Sequence, residues 1–91
     1  MHKVYVVGSR YCPACTELLR WLPENSVDEF VEVEYLDVYK DHKTIRELER
    51  RSNTDVRIIP TMFHGGKAFH GREEIKPQLL HLCGENPAWQ D

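Results

Sequence analysis

The sequence predicts an α/β domain in the order β-α-β-α-β-β-α, with a four-stranded mixed sheet flanked by three helices. Three observations predict it. An apolar run, Val4-Tyr5-Val6-Val7, gives way to a pattern of period 3.6 from Cys12. A second stretch opens with strict alternation, Val31-Glu32-Val33-Glu34. Two short apolar segments flank Gly65-Gly66, the pattern of a tight hairpin. Two strands joined by a helix run parallel with a right-handed crossover, and the hairpin adds two more, the first antiparallel to that pair.

Lys3 to Val7 is short, β-branched and apolar, as suits a buried strand. Beyond it, Cys15, Leu18, Leu19 and Leu22 fall on one helical face, with Glu17 and Arg20 on the other. Pro13 fits the first helical position, where its missing N–H costs nothing, and Pro23 is expected to end the helix. After a polar connector from Glu24 to Glu29, Val31 to Val38 reads as a strand. Asp41 is the expected N-cap of a charged helix through about Arg51, with Ile45 and Leu48 as its narrow apolar stripe. Ser52-Asn53-Thr54-Asp55 is a loop, and Thr61-Met62-Phe63-His64 and Lys67-Ala68-Phe69-His70 are the hairpin strands. The last helix carries Ile75, Leu79, Leu82 and Cys83 on one face and ends at Gly84. Pro77 belongs in a first turn, which puts the start near Glu74. Residues 1–84 then form one domain and 85–91 a loose tail, from which Trp89 could pack back.

A chain of 91 residues supports one modest core. With 41% apolar and 30% charged residues it has the composition of a soluble globular domain. A net charge of −3 with no basic stripe excludes nucleic acid as an implied partner; Arg50-Arg51, ending a charged helix, reads as a solvated face. No apolar run approaches the ~20 residues that span a bilayer, and the run after Met1-His2-Lys3 is too short for a signal-peptide core. The expected compartment is the cytoplasm, where thiols stay reduced. Three cysteines are an odd number, so no disulfide framework is implied. In that setting Cys12-Pro13-Ala14-Cys15 is either a redox pair or a metal ligand pair. A zinc site needs four ligands, and neither a second CxxC nor a spaced histidine pair is present, so no metal is assigned.

The context of the pair carries its chemistry. A CxxC at a strand-to-helix junction puts its first sulfur at a helix N-terminus, where free N–H groups and the helix dipole favour a thiolate. Elsewhere the plain readings suffice. Cys83 shares a face with Leu79 and Leu82 and reads as a core cysteine, Trp21 as packing, and Gly65-Gly66 as a turn and not a phosphate loop. His64 and His70 could face one another across the hairpin, although surface histidines are the simpler account. Arg57 is a surface charge unless it points toward Cys12, where it would steer acidic partners.

Cys-Pro-x-Cys after a first strand, with Ile59-Pro60-Thr61 before a hairpin, resembles the thioredoxin superfamily over nearly the whole chain. The resemblance implies a thioredoxin fold and a cis Ile59–Pro60 peptide bond lying against the CxxC. The Cys12-Pro13-Ala14-Cys15 motif and a start directly on the active-site strand are similar to glutaredoxins. Thioredoxins have Trp-Cys-Gly-Pro-Cys and a buried Asp six residues before the first Cys, where this chain has Val6. The stretch Val56-Arg57-Ile58-Ile59-Pro60-Thr61 is more similar to thioredoxins, since glutaredoxins have Thr-Val-Pro in place of Ile58-Ile59-Pro60. Counted from Pro60, the glutaredoxin Gly-Gly falls on His70-Gly71 and the following Asp on Glu74. These positions hold the γ-glutamyl end of glutathione in that family, and here His70 stands in place of a glycine. The resemblance further implies Arg10 for the glycyl carboxylate, and Tyr11 matches the residue beside the nucleophile.

Thiol–disulfide exchange needs an exposed thiolate, a second thiol within reach and an approach path. Cys12 is the expected nucleophile, with Arg10 nearby adding to the thiolate's support, and Cys15, one turn in, the resolving thiol. Arg10, Tyr11, Pro13, Ile59, Pro60, Gly71 and Glu74 are the expected substrate-binding residues, the Ile59 backbone pairing with an extended partner. The expected function is reduction of protein or glutathione mixed disulfides, with glutathione as reductant, client disulfide proteins as partners, no tightly bound cofactor, and a monomeric state. Three alternatives stay open: a minimal thioredoxin or redoxin reduced by a flavoprotein reductase, a non-catalytic thioredoxin-fold module, and an iron–sulfur carrier bridged through Cys12, which Pro13 disfavours.

Overall fold

The computed structural model describes residues 1–85; the expected tail past Glu85, with Trp89, lies outside the described residues. Strand β1 (His2–Gly8) leads into helix α1 (Pro13–Glu24) and, after a short 3-10 turn (Val27–Glu29), strand β2 (Val31–Asp37). Helix α2 (His42–Ser52), strands β3 (Thr61–His64) and β4 (Lys67–His70), and helix α3 (Arg72–Gly84) follow. The sheet order is β2-β1-β3-β4. β1 is parallel to β2, pairing His2 with Val31 through to Gly8 with Asp37, and antiparallel to β3, pairing Val6 with Met62. The hairpin closes Thr61 onto His70 and His64 onto Lys67. This is the thioredoxin fold, a four-stranded mixed sheet with three helices.

Side chains alternate across a strand, and β1 divides the core accordingly. Val4 and Val6 join Leu18 and Leu22 of α1, Met62, and Ile75, Leu79, Leu82 and Cys83 of α3 in the larger cluster. Val7 joins Leu36, Phe63, and Ile45 and Leu48 of α2 in the smaller one. The sheet therefore separates α1 and α3 from α2. Cys83 is fully buried in the larger cluster and Trp21 packs partly against it, as expected of both. Truncating Leu18 or Leu79, both fully buried, to alanine costs about 2–5 kcal/mol.

Three local expectations are corrected and two are made more specific. Leu19 is 37% exposed, because one residue past Leu18 turns the helix by about 100° and takes the side chain off the Cys15–Leu18–Leu22 stripe. Pro23 sits inside the last turn of α1 and does not end it; Asn25 closes the helix, its N–H donating to Trp21 O at 3.1 Å. Asp41 holds the N-cap position of α2, but its side chain turns back to accept from the N–H of Asp37 at 2.7 Å and pins the β2–α2 junction. α3 begins at Arg72, not near Glu74, so Pro77 lies beyond the first turn and the exposed Glu73 goes without its N–H. His64 and His70 do not face one another. The hairpin register sets His64 opposite Lys67, while its ring meets that of His2 edge-on at 5.2 Å.

Candidate active site

The loop between β1 and α1 is tied by Ser9, whose Oγ accepts from Tyr11 N at 3.1 Å and whose carbonyl accepts from Cys12 N at 3.1 Å. Cys12 is thereby placed as the N-cap of α1 in extended conformation, with Pro13 as the first helical residue. Its Sγ accepts the backbone N–H of Cys15 at 3.2 Å, the contact by which a helix N-terminus favours a thiolate. On its other side the Cys12 thiol reaches Ile59 O at 3.8 Å. Cys12 is partly exposed, whereas Cys15 is only 1% exposed. Burial pushes the Cys15 thiol up to about 11; the hydrogen bond with Cys12 acts the same way, and the Ser9 backbone opposes both. One sulfur is thus presented to solvent and the other kept as a protonated thiol behind it.

The Ile59–Pro60 peptide bond is cis. Pro60 is buried, and its carbonyl accepts from Gly71 N at 2.8 Å. Thr61, also buried, donates its hydroxyl to Ile58 O at 2.7 Å and lies 3.2 Å from His70 Nδ1. Glu74 Oε1 accepts from His70 N at 2.9 Å. Gly71 caps α3 with φ +78°, a conformation that glycine adopts without strain. Four of the expected substrate-binding residues are joined to Cys12 in one chain of contacts: Cys12 to Ile59, Pro60 to Gly71, and Glu74 to His70, the residue before Gly71. Arg10 and Tyr11 form a separate exposed pair, with Arg10 Nη2 donating to Tyr11 Oη at 2.8 Å and the guanidinium 5.0 Å from the ring centre.

The structure adds two features that the sequence reading missed. A cavity of about 720 Å³ adjoins the Pro60 loop, bounded by Ile58 and His70 together with Arg46, Arg50 and Arg57 and the carboxylates of Glu49 and Asp55. Two of these arginines come from α2, which read as a solvated face; Arg50 is also 3.4 Å from Glu47. The second is Tyr35 on β2, whose hydroxyl is buried with no hydrogen-bond partner among the described residues. A Cβ added to Gly8 would stand 2.5 Å from Tyr35 Oη and 2.9 Å from Cys15 Sγ, so glycine there leaves room for phenol and thiol together. Burial pushes the Tyr35 hydroxyl up to about 12, with the negative forms of Cys15, Cys12 and Asp37 adding to it. The β2 alternation, which turns Tyr35 inward with Val31 and Val33, was the available signal.

A partly exposed cysteine at a helix N-cap, a buried one a turn later, and a cis-proline loop beside them are the arrangement of a thioredoxin-fold CxxC motif. The glutaredoxin family model matches residues 3–69, which include both cysteines and Pro60, and the chain belongs to that family. Comparison with curated proteins gives no match.

Proposed function

We propose that this glutaredoxin-like redox protein is a dithiol oxidoreductase that reduces protein and glutathione mixed disulfides, with glutathione as its source of electrons. The reading is carried by the unequal placement of the two sulfurs: Cys12 exposed at the N-cap with an N–H on its Sγ, Cys15 buried behind it. In the cycle, Cys12 thiolate attacks a substrate disulfide, forming a mixed disulfide and expelling one thiolate with the electron pair of the broken bond. Cys15 then attacks Cys12 Sγ, closes the Cys12–Cys15 disulfide and releases the second thiolate. Two glutathione molecules reverse the process, the first opening the disulfide and the second leaving as glutathione disulfide. An extended partner would pair with the backbone of Ile59, beside Cys12. The cavity by Ile58 and His70 offers Arg46, Arg50 and Arg57 to the carboxylates of glutathione, alongside its own Glu49 and Asp55, with Gly71 and Glu74 proposed at the γ-glutamyl end. No helix among the described residues is long and apolar enough to cross a membrane. The reducing cytoplasm is the compartment in which such a cycle runs.

One observation favours a second reading. Glu74 already accepts from the His70 N–H, and His70 stands where a glycine would open the pocket, which fits a redoxin reduced by a flavoprotein reductase. The deciding experiment supplies glutathione, glutathione reductase, NADPH and a small mixed disulfide, and follows loss of NADPH. Turnover that falls to background in Cys12→Ser supports the glutathione cycle. Absence of turnover, with the dithiol still reducible by dithiothreitol, moves the assignment to the flavoprotein-dependent carrier.

A further inference from the structure

The geometry points to Tyr35 as the hydrogen-bond donor that stabilises the Cys15 thiolate at the moment it resolves the mixed disulfide. The inference rests on the dithiol reading above and deepens it. Three observations meet at this point. Tyr35 Oη is buried with no fully formed hydrogen bond among the described residues, and the group it bears on is the Cys15 thiol, an interaction left incomplete in the reduced state. The same hydroxyl and Cys15 Sγ both border the space that Gly8 leaves, and any side chain at position 8 would force them apart. The parallel register pairs Gly8 with Asp37 and Val6 with Tyr35, so β2 delivers the phenol from beneath the first turn of α1.

The step has a need that this hydroxyl meets. Cys15 Sγ must give its proton to water, attack Cys12 Sγ and form the new S–S bond. The electron pair of the broken bond departs with the substrate thiolate, which then takes up a proton. Negative charge therefore develops on a sulfur that is almost fully buried, where an unpaired anion is costly. The groups around it are the Cys12 sulfur and the Ser9 backbone from the α1 side, and Tyr35 from β2, which itself feels Asp37. Of these, the Ser9 backbone and Tyr35 both ease ionisation, and Tyr35 is the neutral side-chain donor. Its own ionisation is displaced upward, so it serves as an O–H donor and not as a base. In the reduced protein its influence already runs toward a lower Cys15 value, against the larger effect of burial.

Tyr35→Phe tests this with an aromatic disulfide probe, 5,5′-dithiobis(2-nitrobenzoate), followed by stopped flow. Attack by Cys12 releases one coloured thiolate, and closure by Cys15 releases the second. Cys12→Ser supplies the background from other thiols. The expected result is a first release unchanged within about twofold and a second slowed about tenfold, the worth of a hydrogen bond to a charged group. The pH midpoint of the second phase should also move up by about one unit. A structural role would instead slow both phases or lower the melting temperature, whereas loss of an orphan hydroxyl should leave that temperature equal or higher. An unchanged second phase, or equal slowing of both, overturns the proposal. Wild-type protein that releases only one thiolate overturns this proposal and the dithiol cycle together. Two releases with a Tyr35→Phe defect, but no glutathione-dependent turnover, support Tyr35 and remove only glutathione.

Discussion

Compared across Pro60, the α1 side turns its polar groups toward sulfur, while the α3 side closes its own on one another. On the first side the Cys15 N–H meets Cys12 Sγ and the Ile59 carbonyl faces the same atom. On the second, Gly71 N is spent on Pro60 O, His70 N on Glu74, and the His70 ring lies beside the Thr61 hydroxyl. The difference separates two tasks. Sulfur exchange uses backbone donors and helix position, which any sequence with this topology supplies. Partner recognition, which we propose for the second side, uses side chains, and there His70 stands in place of the glycine the family resemblance implies, with a cavity of mixed charge alongside.

Each side also holds a glycine, for opposite reasons, and the largest expected effect breaks the comparison there. Gly8 is required for space, since a Cβ would meet Tyr35 and Cys15 at 2.5 and 2.9 Å. Gly71 is required for its positive φ, and a Cβ would meet only Ile58 Cδ1 at 3.6 Å. Gly8→Ala should cost about 1–3 kcal/mol by overpacking and also slow the redox cycle. Gly71→Ala should cost about 1–3 kcal/mol, because φ +78° with ψ 163° is essentially a glycine-only conformation, and leave attack by Cys12 unchanged. Urea unfolding and single-turnover kinetics of both variants check this; a Gly8→Ala protein with wild-type kinetics would break the distinction.

The same contrast explains what the sequence disclosed. The strands, the hairpin and the Cys12 N-cap were legible because period-2 alternation, Gly65-Gly66 and a proline after Cys12 are local signals. The faces of α2 and α3 followed from Ile45 and Leu48 and from Ile75, Leu79, Leu82 and Cys83. Pro77 misled, because a helix whose solvent-facing carbonyl can be hydrated tolerates a proline past its first turn. Tyr35 and the arginine cavity were not legible. Alternation turns Tyr35 inward but does not say what its hydroxyl meets; that depends on the β1–β2 register and on α1 packing above Gly8. Arg46 and Arg57 come together only through the path of the chain between α2 and β3.

A second expected effect sharpens the comparison on the α1 side. Burial raises the Cys15 thiol from its ordinary 9.0 to about 11 in the folded protein. A raised value gives stability that is fully present below pH 9 and lost as pH climbs through 11. Reduced protein should therefore weaken more across that window than protein with the Cys12–Cys15 disulfide closed, which lacks this thiol but keeps the raised Cys83 and Tyr35. Burial of Tyr35 and of Cys83 acts in both forms, so the difference between the two declines carries the Cys15 effect, together with the smaller push of the Cys15 and Cys12 thiolates on Tyr35. Urea midpoints of the two redox forms at pH 8 and pH 10.5 read the difference directly; parallel decline would contradict the burial account.

The smallest expected effect belongs to the recognition side. Arg46 and Arg57 border the cavity beside His70 without taking part in sulfur chemistry. If they meet glutathione carboxylates, replacing either with alanine removes an exposed ion pair worth about 0.2–1 kcal/mol. That corresponds to an increase of up to about fivefold in KM for glutathione, with kcat held, because binding is lost equally from ground and transition states. The loss should shrink at high salt, as exposed pairs are screened. A fall in kcat with unchanged KM would place these arginines on the reacting sulfurs instead. No change in either constant would take the cavity out of glutathione recognition and strengthen the reading in which His70 and Glu74 have closed that pocket.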